Sequence, residues 1–295
     1  MKWLFWRLAP EALLGLALVS AAGCSPNQDV QPGPPVLVSF SVVDNSTGQA
    51  LELTDDAGAV EVSPLVHLAA LFDRLLDGAA VTNVDATGMD LGTDVVAVSI
   101  TPALPAGAPA PSFTSVYTPN GGTTGLFFPQ GPYITTTATP TFPSGATLTA
   151  TLDPTRVRSK KGEPFTGHGT LTFHTLPFAA AVAVPEAMAD PDAGAADPDA
   201  GPLPVTPEMQ MVTITFNNIA GATIADHITV TAGGLPFTDV TFSGNDGTSN
   251  TVTVTPTTTW PPGTTIVVTV DATAADPFGD VTGMAATGSF TTSAM

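Results

Sequence analysis

A chain of 295 residues, 43% of them hydrophobic, has room for two modest domains, each burying a core of its own. Its 26 acids against 7 bases give a formal charge of -19, which repels a phosphate backbone and argues against nucleic acid as a partner. A single Cys excludes an internal disulfide and a Cys-rich zinc site.

Lys2 and Arg7 precede an apolar run that begins at Ala12 and ends in Ala21-Ala22-Gly23-Cys24. The run is about 12 residues, short of the roughly 20 a helix needs to span a bilayer and of the right length for a signal-peptide core. These four residues resemble the lipobox of bacterial lipoproteins, in which small side chains give a peptidase access to the bond before the lipid-bearing Cys. The resemblance implies a signal peptide over 1–23 and acylation of Cys24. Two or more acyl chains would hold the protein to a membrane at ~0.8 kcal/mol per buried CH2. With Ser25 rather than Asp after the Cys, it further implies an outer-membrane lipoprotein of the cell envelope, whose membrane contact is this lipid anchor. Residues 24–34 are polar and Pro-rich and read as an extended tether.

From residue 35 the pattern is a period of two. Val96, Val98 and Ile100, then Leu148 with Leu152, alternate with Thr, Ser and Ala, as half-buried strands of antiparallel sheets do. One stretch argues otherwise: Leu68, Leu71, Phe72, Leu75 and Leu76 have helical spacing, but an internal repeat makes 65–72 a strand. Residues 179–208 are rich in Pro, Ala and Gly and contain Asp-Pro-Asp-Ala-Gly twice, which predicts an acidic linker between domains over 35–178 and 209–295. Beyond it, Val212, Ile214 and Phe216, Val252 and Val254, and Ile266, Val268 and Val270 alternate with Thr in the same way. No Lys or Arg follows Lys161, against thirteen acids, so the distal part is uniformly anionic.

The two halves repeat one another. Phe142-Pro143-Ser144-Gly145, the strand after it and Asp153 align with Trp260-Pro261-Pro262-Gly263, its strand and Asp271 at a constant offset. Gly162 then matches Gly279, Phe173 matches Phe290, and Leu71-Phe72-Asp73-Arg74 matches Thr215-Phe216-Asn217-Asn218. This proline-glycine turn, Thr-alternating strand, acidic turn and terminal Phe-Thr strand resembles the bacterial Ig-like domain of S-layer proteins (SbsA type). The resemblance covers most of 35–178 and 209–295, with Asp276-Pro277-Phe278-Gly279 fitting the family turn and Ser159-Lys160-Lys161-Gly162 lacking its acid. It implies an all-β fold, two Ig-like antiparallel β-sandwiches in tandem after a lipoprotein signal peptide. The first unit is 26 residues longer between its matched aromatics, and we expect the insertion near 103–138.

Catalytic motifs are lacking: there is no Gly-x-Ser-x-Gly, His-Glu-x-x-His or phosphate-binding loop. His168 and His174 share a strand face but stand about 20 Å apart at ~3.3 Å per residue, too far to share a metal. The insertion carries Tyr117, Phe127, Phe128 and Tyr133, which are candidate ligand-binding aromatics if exposed together and an extension of the core if buried. Asp271, Asp276 and Asp280 are the acids nearest to a calcium-like oxygen cluster, although turn formation explains them as well. These readings predict a non-enzymatic lipoprotein with no cofactor, acting as a spacer or interaction module. The alternatives are an adhesin-like module for an envelope glycan or protein and, more remotely, a hydrolase.

Overall fold

The computed structural model of the protein describes residues 33–51, 61–81, 95–119, 131–185 and 210–294. In chain order the described part contains β1 (Leu37–Asp44), β2 (Ala50–Leu51), β3 (Glu61–Val62), β4 (Val66–Phe72), a one-turn helix α1 (Gly78–Val81), β5 (Val96–Thr101), β6 (Ser112–Thr118), β7 (Tyr133–Thr139), β8 (Thr147–Leu152) and β9 (Thr170–Thr175). There follow β10 (Ala180–Ala183), β11 (Val212–Phe216), a 3-10 turn (Ile224–His227), β12 (Ile228–Ala232), β13 (Leu235–Pro236), β14 (Val240–Ser243), β15 (Thr251–Pro256), β16 (Thr265–Val270) and β17 (Ala286–Thr291).

These strands form four sheets around two cores, an all-β architecture of stacked antiparallel sheets. The first core lies between sheets ordered β2-β1-β4-β7-β6 and β3-β9-β8-β5; the second lies between β10-β11-β15-β14 and β13-β12-β16-β17. Pairing between named strands is antiparallel except for the two-residue contact of β3 with β9. The alternating apolar positions point inward: Leu148 and Leu152, Val212, Ile214 and Phe216, Ile266, Val268 and Val270 are all buried. Residues 66–72 are a strand despite their helical spacing. Phe72, Leu68 and Ala70 enter the first core while Ala69 and Leu71, on the opposite face of this central strand, are buried as well, so burial on both faces removes the alternation that would have marked it.

The duplication is explicit in three dimensions. Phe142 and Phe173 meet edge to face at 5.6 Å, and Trp260 and Phe290 do the same at 5.7 Å. The hydroxyl of Thr175 donates to the Pro143 and Ala146 carbonyls, as that of Thr292 does to Pro261 and Thr264. Asp153 accepts from the backbone and hydroxyl of Thr155, and Asp271 likewise from Thr273. In the turn where the first unit lacks the acid, Ser159 Oγ accepts from the backbone N–H of Lys161 and Glu163; Asp276 Oδ1 accepts from Phe278 and Asp280. A hydroxyl thus performs the turn-closing role of the carboxylate.

Two sequence expectations change. The connection between β4 and β5 holds 23 residues against 11 between β11 and β12, while that between β6 and β7 holds 14 against 7 between β14 and β15. The extra length is therefore shared between two connections and is not confined to 103–138, because a loop can grow wherever it leaves the sheets intact. Nor is 179–208 wholly a linker. Phe178 is buried in the second core, and β10 pairs with β11 from Ala180 opposite Phe216 to Ala183 opposite Thr213. Alanine and valine in a low-complexity stretch give no periodic signal, yet their small side chains fit an edge strand laid over the core.

Candidate functional site

The site-forming residues expected from the sequence are dispersed. Cys24, Phe127 and Phe128 lie outside the described residues. Tyr117 on β6 turns its ring against the first core, and its hydroxyl accepts a hydrogen bond from the Leu76 backbone N–H at 2.9 Å. A phenol that satisfies a backbone donor next to a core is a packing element, not an open platform for a ligand. Tyr133 stands half-buried at the start of β7, opposite Leu71 on β4 and Thr118 on β6.

The three acids also separate. Asp271 is tied to Thr273, with His227 Nδ1 at 3.3 Å, and the Thr273 hydroxyl and backbone hold its carboxyl below the ordinary carboxylate value. Asp276 is buried and Asp280 accepts from the Phe178 backbone N–H at 2.8 Å, both occupied with N–H donors. Among the described residues, no three His, Cys, Asp or Glu side chains are grouped so as to hold a metal ion.

What the structure does gather is a buried polar seam between the two sandwiches. The β7–β8 turn of the first unit brings Thr141, Phe142, Pro143 and Ser144 against Asn218, which follows β11, and against Asp276 in the β16–β17 connection. Asn218 is fully buried. Its Nδ2 donates to the Phe142 carbonyl at 3.1 Å, to Ser144 Oγ at 2.9 Å and to Asp276 Oδ2 at 3.2 Å, while its Oδ1 accepts from the Thr141 hydroxyl at 2.6 Å. Asp276 Oδ2 also accepts from the Ser144 backbone N–H at 3.3 Å. Burial pushes the Asp276 carboxyl above its ordinary value, against the pull of the Ser144, Asp280 and Phe278 donors. The left-handed Gly145, at φ +60°, sits where a Cβ would come within 3.3 Å of Asp280 Oδ2. Beside it a cleft of ≈ 160 Å³ is lined by Pro105, Pro143, Phe278 and Asp280 among others.

Buried polar groups hold a packing arrangement only when each finds its partner, so a network of this kind fixes one orientation of the two units. Its sequence signal is a difference inside the repeat. Asp73 and Arg74 form an ion pair in the first unit, whereas the matched Asn217 and Asn218 are uncharged. Asp73 and Asn217 make the same bond, to the backbone N–H of Val36 and of Ala179, but beyond Asn217 the first sandwich abuts and a charge would be desolvated.

Paired antiparallel sandwiches, an internal repeat of turns and a satisfied polar seam define a tandem β-sandwich protein. Residues 188–292 match the family model of the bacterial Ig-like domain, so the second unit carries a domain of that kind. The match begins beyond β10, whose place in the second sheet comes from the structure alone. No curated protein matches the chain.

Proposed function

We propose that this chain is a non-catalytic lipoprotein of the bacterial cell envelope, anchored through Cys24 and built of two Ig-like sandwiches of the S-layer-protein type that act as a rigid spacer or interaction module. The observation that carries the reading is the Asn218 seam. A spacer must hold its distal unit at a defined angle, and here a buried amide makes three hydrogen bonds across that contact, to Thr141, Phe142 and Ser144. Supporting it are the match of residues 188–292 to the bacterial Ig-like domain model and the lipobox-like Ala21-Ala22-Gly23-Cys24.

The partners on this reading are a membrane, reached through the lipid, and an envelope glycan or protein. The anchor is tested by fractionating cells that express Cys24→Ala protein. The substituted chain is expected in the soluble fraction, and membrane recovery equal to the unsubstituted protein would end the lipoprotein reading. The spacer role is tested by small-angle scattering of the soluble form, which is expected to fit one extended arrangement of the two sandwiches rather than a broad ensemble.

A further inference from the structure

The second sandwich does not contain all of its strands on one side of the low-complexity segment. Four residues separate β9 of the first unit from β10, but 28 residues separate β10 from its partner β11. A loop that long closes at little more entropy than a short one, so it permits the pairing of β10 with β11 without dictating it. What holds β10 is therefore the surface it lies on.

That surface is a groove with two walls. On one side β11 pairs with β10 over four residues, and Phe178 stacks on Phe216 with ring centroids 5.2 Å apart and planes 7° from parallel. On the other side β17 offers Gly288. A Cβ there would stand 2.6 Å from Val182 Cγ1 and 2.8 Å from Val184 Cγ1, so the groove exists because this position has no side chain. The segment that fills it, Phe178-Ala179-Ala180-Ala181-Val182-Ala183-Val184, is uncharged in a chain of charge -19, and Val182 and Val184 pack on the second core. The first unit shows the same place filled by its own β1, which pairs with β4 as β10 pairs with β11.

We propose that the groove between β11 and β17 is a strand-acceptor site, that its occupant is residues 178–184 of the same chain, and that the second sandwich is held on the first by this inserted strand independently of the backbone connection through 186–209. The partner such a groove fits is an extended, uncharged, small-residue strand with an aromatic at its leading end. The strand's main-chain bonds supply affinity and the Gly288 gap supplies register.

The test uses the full-length chain with residues 190–194 replaced by a site-specific protease sequence, cut once after folding. Both pieces are expected to elute together on a native sizing column, to separate in urea and to re-associate on dilution. Elution as two separate pieces overturns the proposal. Three substitutions in the cut protein separate the strand from the seam. Val182→Asp and Gly288→Val are each expected to weaken association about tenfold or more, and Asn218→Ala to weaken it less. Val182 belongs to the piece whose own core it does not enter, so an unchanged melting of that piece shows that its folding is intact. Association that survives Val182→Asp and Gly288→Val but is lost in Asn218→Ala would assign the hold to the seam and refute the strand.

Discussion

Phe216 illustrates how much one side chain carries. It is buried at the end of β11, stacked on Phe178, at the position that Phe72 occupies in the first core. Replacing it by Ala empties a large core site, and we expect the second sandwich to lose about 3 to 5 kcal/mol. Denaturant melting measures this, and a loss below about 1 kcal/mol would show that the surroundings collapse onto the gap. Asn218 acts differently, because its partners are polar. Asn218→Ala leaves Thr141, Ser144 and Asp276 with bonds that water reaches poorly, and the expected cost is about 1 to 3 kcal/mol. That loss falls chiefly on the contact between the units, which holds the bonds to Thr141, Phe142 and Ser144. Calorimetry is expected to show the two sandwiches melting further apart in temperature while each core keeps its own enthalpy.

At the level of elements, the Thr-rich faces explain why these strands stay half solvated. Thr149 and Thr172, Thr265 and Thr291, and Thr269 and Thr287 lie opposite one another on neighbouring strands with hydroxyls 3.1 to 3.3 Å apart. Such cross-strand pairs contribute to sheet stability from the outer face, while the inner face supplies the core. Turns set the register between strands. Gly244, at φ +76°, starts the connection from β14 to β15, and a Cβ there would collide with the Thr251 carbonyl oxygen. Gly244→Ala combines a left-handed backbone with that collision. It is expected to destabilise the hairpin by about 1 to 3 kcal/mol, seen as faster amide exchange in β14 before the rest of the second sandwich. An unchanged exchange pattern would mean that the turn relaxes without cost.

For the whole molecule, the seam predicts a pH response. Burial raises the Asp276 carboxyl, so the folded protein holds that proton more readily than the unfolded chain does. Its contribution to stability is therefore largest at acid pH and is lost as pH rises from the ordinary 3.8 through the raised value. His67 has the opposite sign. Burial lowers its pKa, so stability falls as pH drops below the ordinary 6.5. The two are separated by difference. Subtracting the profile of Asp276→Asn from that of the unsubstituted protein is expected to leave a stability gain on acidification that begins above pH 3.8, whereas the His67 slope cancels. Asp44 and Asp73, lowered by the Ser46 and Arg74 hydrogen bonds respectively despite their partial burial, lose their stabilising effect only below that range. A flat difference would show that the donors around Asp276 outweigh its burial.

Strand identity, inward faces and the duplication were all legible in the sequence, because a period of two and a recurring aromatic-Pro-x-Gly turn are local consequences of the pleat and of backbone geometry. The repeat even outweighed the helical spacing of Leu68, Leu71 and Phe72. Three things were decided by tertiary structure. Ala180–Ala183 form a strand because a groove with Gly288 at its base lies within reach, and alanines alone do not announce that. Tyr117 turns inward because the Leu76 N–H, 41 positions away, needs an acceptor. Asn218 and Asp276 meet Thr141 and Ser144 only when one sandwich abuts the other, across 74 to 132 positions of chain. Local sequence records propensity and pattern; a buried hydrogen-bond network depends on where distant segments come to rest, and only the folded chain specifies that.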